Sequence, residues 1–444
     1  MKLGQRLMVS VALMFSNWSE SIRVEVNHAG CCKLYTQSDL CGVARVSLYS
    51  GHDLANPDSL SESIDDCFVS SAVGARQMTQ AILYEQSLRH LLAPIYAALE
   101  DPSVSEIMIN GYNDIYIEQG GQLLRMDARF DSEDALESAM RNVAQFVGKR
   151  LEPGTPSIEA RLPDGSRVHI VQAPAARNGL CVAIRKFSRN KLDLDALVES
   201  GTLNGEAAEF LGICVGMAKN IIVSGGTGSG KTTLLNVLST MIPEDERIIV
   251  LEDSSELQLQ QPHVVSFEVQ APDRQGLGGI DIAGLFRASL RMRPDRIIVG
   301  ECRGGEALDM IQAMTSGHSG SLSTCHANTP SGALNRLETM ALMAGVDIPL
   351  FALRAQLASA IDVIVQISRF HDGRRRVIAI SEVLDLNEKG EYLVEDLYRY
   401  EHAARKAADT LIWSGKPASF RQQLSYSAMA ETIRLSGRVW GGGK

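Results

Sequence analysis

Residues Gly225 to Thr233 read GGTGSGKTT, four glycines ahead of one lysine and two threonines. Few structures need so bare a backbone. The run NIIVS before it has the apolar character of a buried strand, and TTLLNVLSTMI after it has helical spacing and stops at Pro243. Strand, glycine loop and helix, with the spacing Gly225-x4-Gly230-Lys231-Thr232, make a P-loop. The missing side chains have a physical reason. Backbone N–H groups must come within hydrogen-bonding distance of phosphate oxygens, and a Cβ would obstruct them. The helix N-terminus adds partial positive charge. The expected ligand is therefore ATP, held by Gly225, Gly226, Thr227, Gly228, Ser229, Gly230, Lys231, Thr232 and Thr233. Lys231 is expected to reach the β- and γ-phosphates and Thr232 to ligate Mg²⁺.

Around the loop, short β-rich runs (RIIVLED, RIIVG, SLSTCH) alternate with helical ones, which predicts a mostly parallel sheet covered by helices. Acids stand at two strand ends. VLEDSSELQL offers Glu252, Asp253 and Glu256, and RIIVGE places Glu301. The C-terminal strand ends of such a sheet sit on the ligand side, so both groups can face phosphates. One carboxylate near Mg²⁺ and another deprotonating water would make a hydrolase, whereas the bland alternative is that these acids cap the next helices. Glu301 is the candidate base, Glu252 and Asp253 are candidates for the metal, partly through water, and the division of roles with Glu256 stays open. His326 follows the strand SLSTC and is expected near the γ-phosphate, while His318 lies in a glycine-rich turn. Arg287 and Arg291 fall at i,i+4 of a predicted helix, followed by Arg293 and Arg296; Arg161, Arg167 and Arg185 fall on predicted strands upstream. Such arginines commonly pair with acids, but in oligomeric NTPases one can neutralise transition-state charge.

The 444 residues divide by texture into five parts. Residues 1–79 hold weakly alternating strands (SIRVEVNH, GVARVSLYSG) and an acidic linker, HDLANPDSLSESIDD. Residues 80–190 form an α+β domain: a helix halted near Asp101-Pro102, strands EIMIN, DIYIEQ and QLLRM, the helix SEDALESAMRNVAQFVG capped by Ser132, and strands in ARLPDGSRVHIVQAP and LCVAIRKF. Residues 191–219 connect, 220–400 carry the P-loop domain, and 401–444 are a C-terminal tail. Arg374 to Arg376 are expected at a solvated hairpin end. The net charge of −10 disfavours nucleic acid as a partner. None of the eight cysteines forms a CxxC pair, so no zinc is expected. No apolar run reaches membrane-helix length, and the stretch Leu7–Phe15 suits a buried strand or helix better than a leader.

In order along the chain stand SEIMINGYNDIYIEQGG, GTPSIEARLPDGSRVHI, IRKF, GGTGSGKTT, VLEDSSELQL, FRASLRMRPDRIIVGECRGGEA and GHSGSLSTCHANTP. From about Leu83 to Tyr400 the sequence resembles the CpaF-like ATPases of Flp/Tad pilus assembly, within the type II/type IV secretion ATPase superfamily. The resemblance implies an α/β fold, a RecA-like P-loop NTPase domain preceded by a smaller, PAS-like α+β domain and a small β-containing N-terminal segment. It implies a cytoplasmic homohexamer, peripheral to the inner membrane, that works on inner-membrane platform proteins. Glu252, Asp253 and Glu256 match that family's acidic box and His326 its histidine box. Glu301 matches the catalytic carboxylate of its atypical Walker B strand. Arg167 and Arg185 match arginines that reach the γ-phosphate, with Arg291 or Arg293 as further candidates. The four-cysteine zinc module of many type II relatives is absent, and residues 1–79 match no segment of the family.

Overall fold

The computed structural model describes residues 84, 86–152, 154–187, 192–272, 275–401 and 410–442, together with four short strands nearer the N-terminus. Those strands, β1 (Met8–Val11), β2 (Ile22–Val26), β3 (Cys31–Tyr35) and β4 (Val46–Ser47), pair antiparallel in that order. The linker expected at HDLANPDSLSESIDD lies outside the described residues.

Six antiparallel strands form the next domain: β5 (Val104–Asn110), β6 (Ile115–Gln119), β7 (Gln122–Arg125), β8 (Ser157–Arg161), β9 (Arg167–Val171) and β10 (Cys181–Arg185). Their order is β7-β6-β5-β10-β9-β8. Strand residues alternate, so Ile107, Ile109, Val168, Ile170, Val182 and Ile184 turn inward. The helix Glu133–Phe146 covers them with Leu136, Ala139, Met140, Val143 and Ala144, one face at 3–4-residue spacing. Ser132 caps it by accepting from the amide of Ala135.

The third unit is a nine-stranded sheet, ordered β13-β12-β14-β15-β11-β16-β17-β18-β19. Its strands are β11 (Ile221–Gly225), β12 (Ile248–Glu252), β13 (Val264–Glu268), β14 (Arg296–Val299), β15 (Leu322–Cys325), β16 (Val363–Arg369), β17 (Arg375–Leu386), β18 (Tyr392–Glu401) and β19 (Thr410–Trp413). The six from β13 to β16 run parallel and the last three continue as an antiparallel meander. Both faces are covered, which explains the unbroken apolar runs. Ile221 and Val223 pack to one side, Ile222 to the other. This is the RecA-like arrangement implied by the resemblance, with the P-loop strand at its centre.

In the C-terminal segment, Phe420 and Trp440 pack around Phe210, with ring centroids 6.5 and 5.2 Å away. Phe210 belongs to the helix Gly205–Gly216 of the connecting region, which contributes to the same core. One local expectation is corrected. The helix assigned to both Arg287 and Arg291 ends at Ser289, and Arg291 lies beyond it. No helix of the described residues is long and apolar enough to cross a membrane.

Candidate active site

Strand β11 delivers Gly225 to the loop, and the helix Lys231–Ser239 leaves it. Gly228 and Gly230 hold φ of +68° and +95°, which glycine alone adopts without strain. The helix begins on Gly230, with no side-chain cap, whereas Ser132, Asp193, Asn204, Asp281 and Thr329 cap theirs. Helix geometry leaves its first amides without intrahelical partners, free to receive an anion. Lys231 folds back over the loop, its Nζ donating to the Gly226 carbonyl at 3.0 Å and lying 3.2 Å from His326 Nδ1. Burial holds its pKa below the ordinary value, and Glu301 opposes that shift.

The strand order β14-β15-β11 brings the next groups beside the lysine. Glu301 follows β14 and His326 follows β15, and their Oε1 and Nε2 are 2.9 Å apart. The tautomer protonated on Nε2 satisfies both contacts: it donates to Glu301 and accepts from Lys231 at Nδ1. Burial, then Lys231, lowers the His326 pKa against the pull of Glu301, which favours the neutral ring. The other oxygen of Glu301 receives Arg303 Nη2 at 2.8 Å, and Arg303 Nη1 reaches Asp253 at 2.8 Å. Arg303 escaped the sequence reading although it stands two residues after Glu301, in the same strand-end loop.

Three arginines of the N-terminal domain align across adjacent strands, with Arg161 and Arg185 each paired in register with Arg167. Like charges directly opposite one another destabilise a sheet, so this row needs anions. Arg167 has Glu256 at 3.0 Å and donates to the Ser254 carbonyl at 2.6 Å. Arg161 meets Glu268, and Arg185 lies 4.0 Å from Glu256 and 3.9 Å from Glu106. Burial lowers the Arg167 pKa, Glu256 resists that, and the flanking arginines add to it. Between the row and the P-loop helix lies a cleft of about 790 Å³, lined by Arg167, Arg185, Thr232, Thr233, Glu256 and Arg375. Ligand sites of drug or nucleotide size fall in this range.

The acidic box divides. Glu252 is 3% exposed and its Oε1 accepts the amides of Glu256 and Leu257, which fixes the loop. Burial pushes its carboxyl up to about 7. Asp253 is half exposed and bound to Arg303. No group of three histidine, cysteine or acidic side chains among the described residues could cage a metal. The Thr232 hydroxyl on the cleft nonetheless suits Mg²⁺, which takes few protein ligands and completes its shell with phosphate and water.

Other candidates lie elsewhere. Arg287 pairs with Asp309 at 3.4 Å, and buried Arg296 clasps Glu246. Arg291 and Arg293 are exposed and are not among the residues gathered at the loop, Arg293 with φ of +53°. The ring of His318 has Nδ1 buried without a hydrogen-bond partner. Of the arginines expected at a solvated hairpin end, Arg374 and Arg375 are both exposed, Arg374 bound to Asp372. Arg376 packs over Phe370 and Tyr400, and Arg375 donates to the Gly228 carbonyl at 3.2 Å. Beside them, Arg369 spans from the P-loop to Glu118 and the Gly121 carbonyl, at 2.9 and 2.7 Å. These contacts depend on β16 pairing with β11, which spacing alone does not reveal.

A largely parallel sheet with a central P-loop strand, and strand ends that bring Glu301 and His326 together beside one lysine, defines a P-loop NTPase fold. Residues 89–380 match the family described as type II/IV secretion system protein, and the chain belongs to that family. It is 33% identical over 297 residues to a putative conjugal transfer protein of Mycobacterium tuberculosis, covering 66% of this chain and 83% of the relative. It is 35% identical over 317 residues to the type IV secretion system protein PtlH of Bordetella pertussis, covering 66% of this chain and 93% of the relative. Among solved structures, the VirB11 ATPase of the Brucella suis type IV secretion system, in complex with sulphate, is similar at 31% identity over 68% of this chain and 96% of that one, with a TM-score of 0.36.

Proposed function

We propose that the chain is an ATPase motor that powers a secretion or pilus machine of the bacterial envelope. One observation carries the enzymatic part: Glu301, His326 and Lys231 form a contiguous chain of contacts, with Glu301 2.9 Å from His326 and His326 3.2 Å from Lys231. A carboxylate placed there can take the proton of a water attacking the γ-phosphate while ADP departs. Neutral His326 then links that carboxylate to the phosphate-side lysine. Thr232 would hold Mg²⁺, whose contribution is to neutralise charge on the phosphates. Arg167 and Arg185 lie across the cleft, in another domain, so their approach to the phosphates depends on closure of the two halves. Repeated closing and opening in a homohexamer, at the cytoplasmic side of inner-membrane platform proteins, converts hydrolysis into motion.

Phosphate release by the wild-type chain, lost in Glu301→Gln while ATP binding persists, is the expected result. A wild type that binds ATP and releases no phosphate would instead make the chain a nucleotide-gated assembly protein. The particular machine has two readings. The order of motifs supports Flp/Tad pilus assembly, and the names of the relatives support conjugative or type IV secretion. Neighbouring genes for a pilin and paired platform proteins decide for the first, and conjugation components decide for the second.

A further inference from the structure

Arg375 is exposed at its hairpin end and at the same time lies against the P-loop. Its strand β17 pairs with β16, which pairs with β11, and Gly225 stands in register with Ile367. The side chain is therefore carried by the same sheet as the loop. Its Nε donates to the Gly228 carbonyl at 3.2 Å, and its Cδ lies 3.1 Å from where a Cβ on Gly230 would stand. Five other arginines near the loop have a carboxylate within 4.0 Å: Arg161 has Glu268, Arg167 and Arg185 share Glu256, Arg303 has Glu301, and Arg369 has Glu118. Arg375 makes no such ion pair among the described residues. Its guanidinium lines the cleft with Thr232, Thr233 and Asn236, on the side where the helix begins. Lys231, His326 and Glu301 do not line that cleft.

We propose that Arg375 binds the α/β-phosphate segment shared by ATP and ADP, as an anchor that acts before the domains close. The proposal rests on the nucleotide reading above and adds a division of labour to it. A guanidinium with no carboxylate within 4.0 Å, Glu118 acting on it from farther away, gains a charge-assisted hydrogen bond when it faces a phosphate. Because Arg375 and the P-loop share one sheet, that bond forms in the ground state and persists through the transition state. Interactions of this uniform kind set affinity and leave turnover alone. Arg167 and Arg185 reach the site from another domain and have the opposite signature.

The test uses the full chain and measures ADP and ATP dissociation constants by calorimetry, with kcat and Tm, for wild type, Arg375→Gln and Arg375→Lys. Arg375→Gln is expected to weaken ADP and ATP by a similar factor of roughly ten, the loss of one charge-assisted bond. Its kcat stays within about threefold and its ligand-free Tm is unchanged, and Arg375→Lys recovers part of the affinity. Affinities within twofold of wild type, or a loss confined to ATP, overturn the proposal. So does an affinity loss that comes with a lowered Tm and no rescue by lysine, because Arg375 would then only brace the loop. A wild type that binds neither nucleotide overturns the nucleotide reading itself, an outcome distinct from the other three.

Discussion

Two adjacent glycines of the phosphate loop look alike in sequence and have different physical reasons to be there. A Cβ on Gly225 would collide with the carbonyl of Ile367 and come within 2.6 Å of the Ser229 hydroxyl. Neither can yield cheaply, because Ile367 sits in β16, the strand paired with β11. A Cβ on Gly226 meets nothing within 4 Å, and its φ is not left-handed. Gly225→Ala is therefore expected to cost about 1–3 kcal/mol through overpacking, lowering Tm by several degrees. Gly226→Ala is expected to leave Tm within about 1 °C. Thermal melts of the two variants check this ordering, and equal shifts would contradict it. Arg303 raises a second question at this scale. It holds Glu301 and Asp253 at once, at 2.8 Å each, so Arg303→Gln is expected to lower kcat by about tenfold or more by releasing Glu301 from its position. ATP affinity should change less than kcat, which a steady-state titration with a separate binding measurement can read.

Among the elements, β14 carries an ion pair that local spacing does not distinguish from its neighbours. Arg291, Arg293 and Arg296 stand together in the sequence, with Arg291 or Arg293 as the candidates for phosphate. Arg296 proves 2% exposed and pairs with Glu246 through two nitrogens, one at 3.1 Å. Removing one partner of a buried pair leaves the other charge poorly solvated. Arg296→Ala is expected to destabilise by about 3 kcal/mol, a Tm loss of roughly 6–10 °C. The double variant Arg296→Met/Glu246→Gln should recover much of this, and chemical denaturation of the three proteins would show whether it does. This arginine also marks where sequence reasoning stopped. The P-loop, Glu301 and His326 were legible because each stands at the end of its own apolar run, and runs are local. Arg369 and Arg375 were not, because their place beside the loop follows from β16 lying next to β11, a pairing across more than a hundred residues. The strands β18 and β19 were missed for a related reason. Their half-exposed sequence, YLVEDLYRYE, takes on meaning only when Tyr398 and Leu397 meet the core built by Phe210.

Over the whole molecule, the central physical fact is that the row Arg161, Arg167 and Arg185 belongs to one domain and two of its acidic partners, Glu256 and Glu268, to another, with Glu106 of its own domain beside Arg185. Glu256 and Glu268 compensate the row across the interface, and Arg369 crosses it in the opposite direction to reach Glu118. The two halves are thus joined by exchangeable charges instead of by a shared apolar core, since the hydrophobic cluster of residues 88–184 is separate from those of the sheet around β11. Interfaces of that composition favour relative domain motion. Under the proposed function, a phosphate entering the cleft would meet Arg167 in competition with Glu256, and the guanidinium would deliver its charge where the halves close on ligand. Charge supplied late in this way accelerates chemistry more than it tightens binding. Arg167→Gln is accordingly expected to lower kcat by about 10²-fold or more, in line with other arginines that meet a transferring phosphoryl group. ADP affinity should stay within about threefold, since ADP lacks the γ-phosphate. Parallel measurement of phosphate release and ADP binding gives the answer. A variant that loses ADP affinity and keeps its turnover would mean that the row anchors nucleotide and that closure does not deliver it.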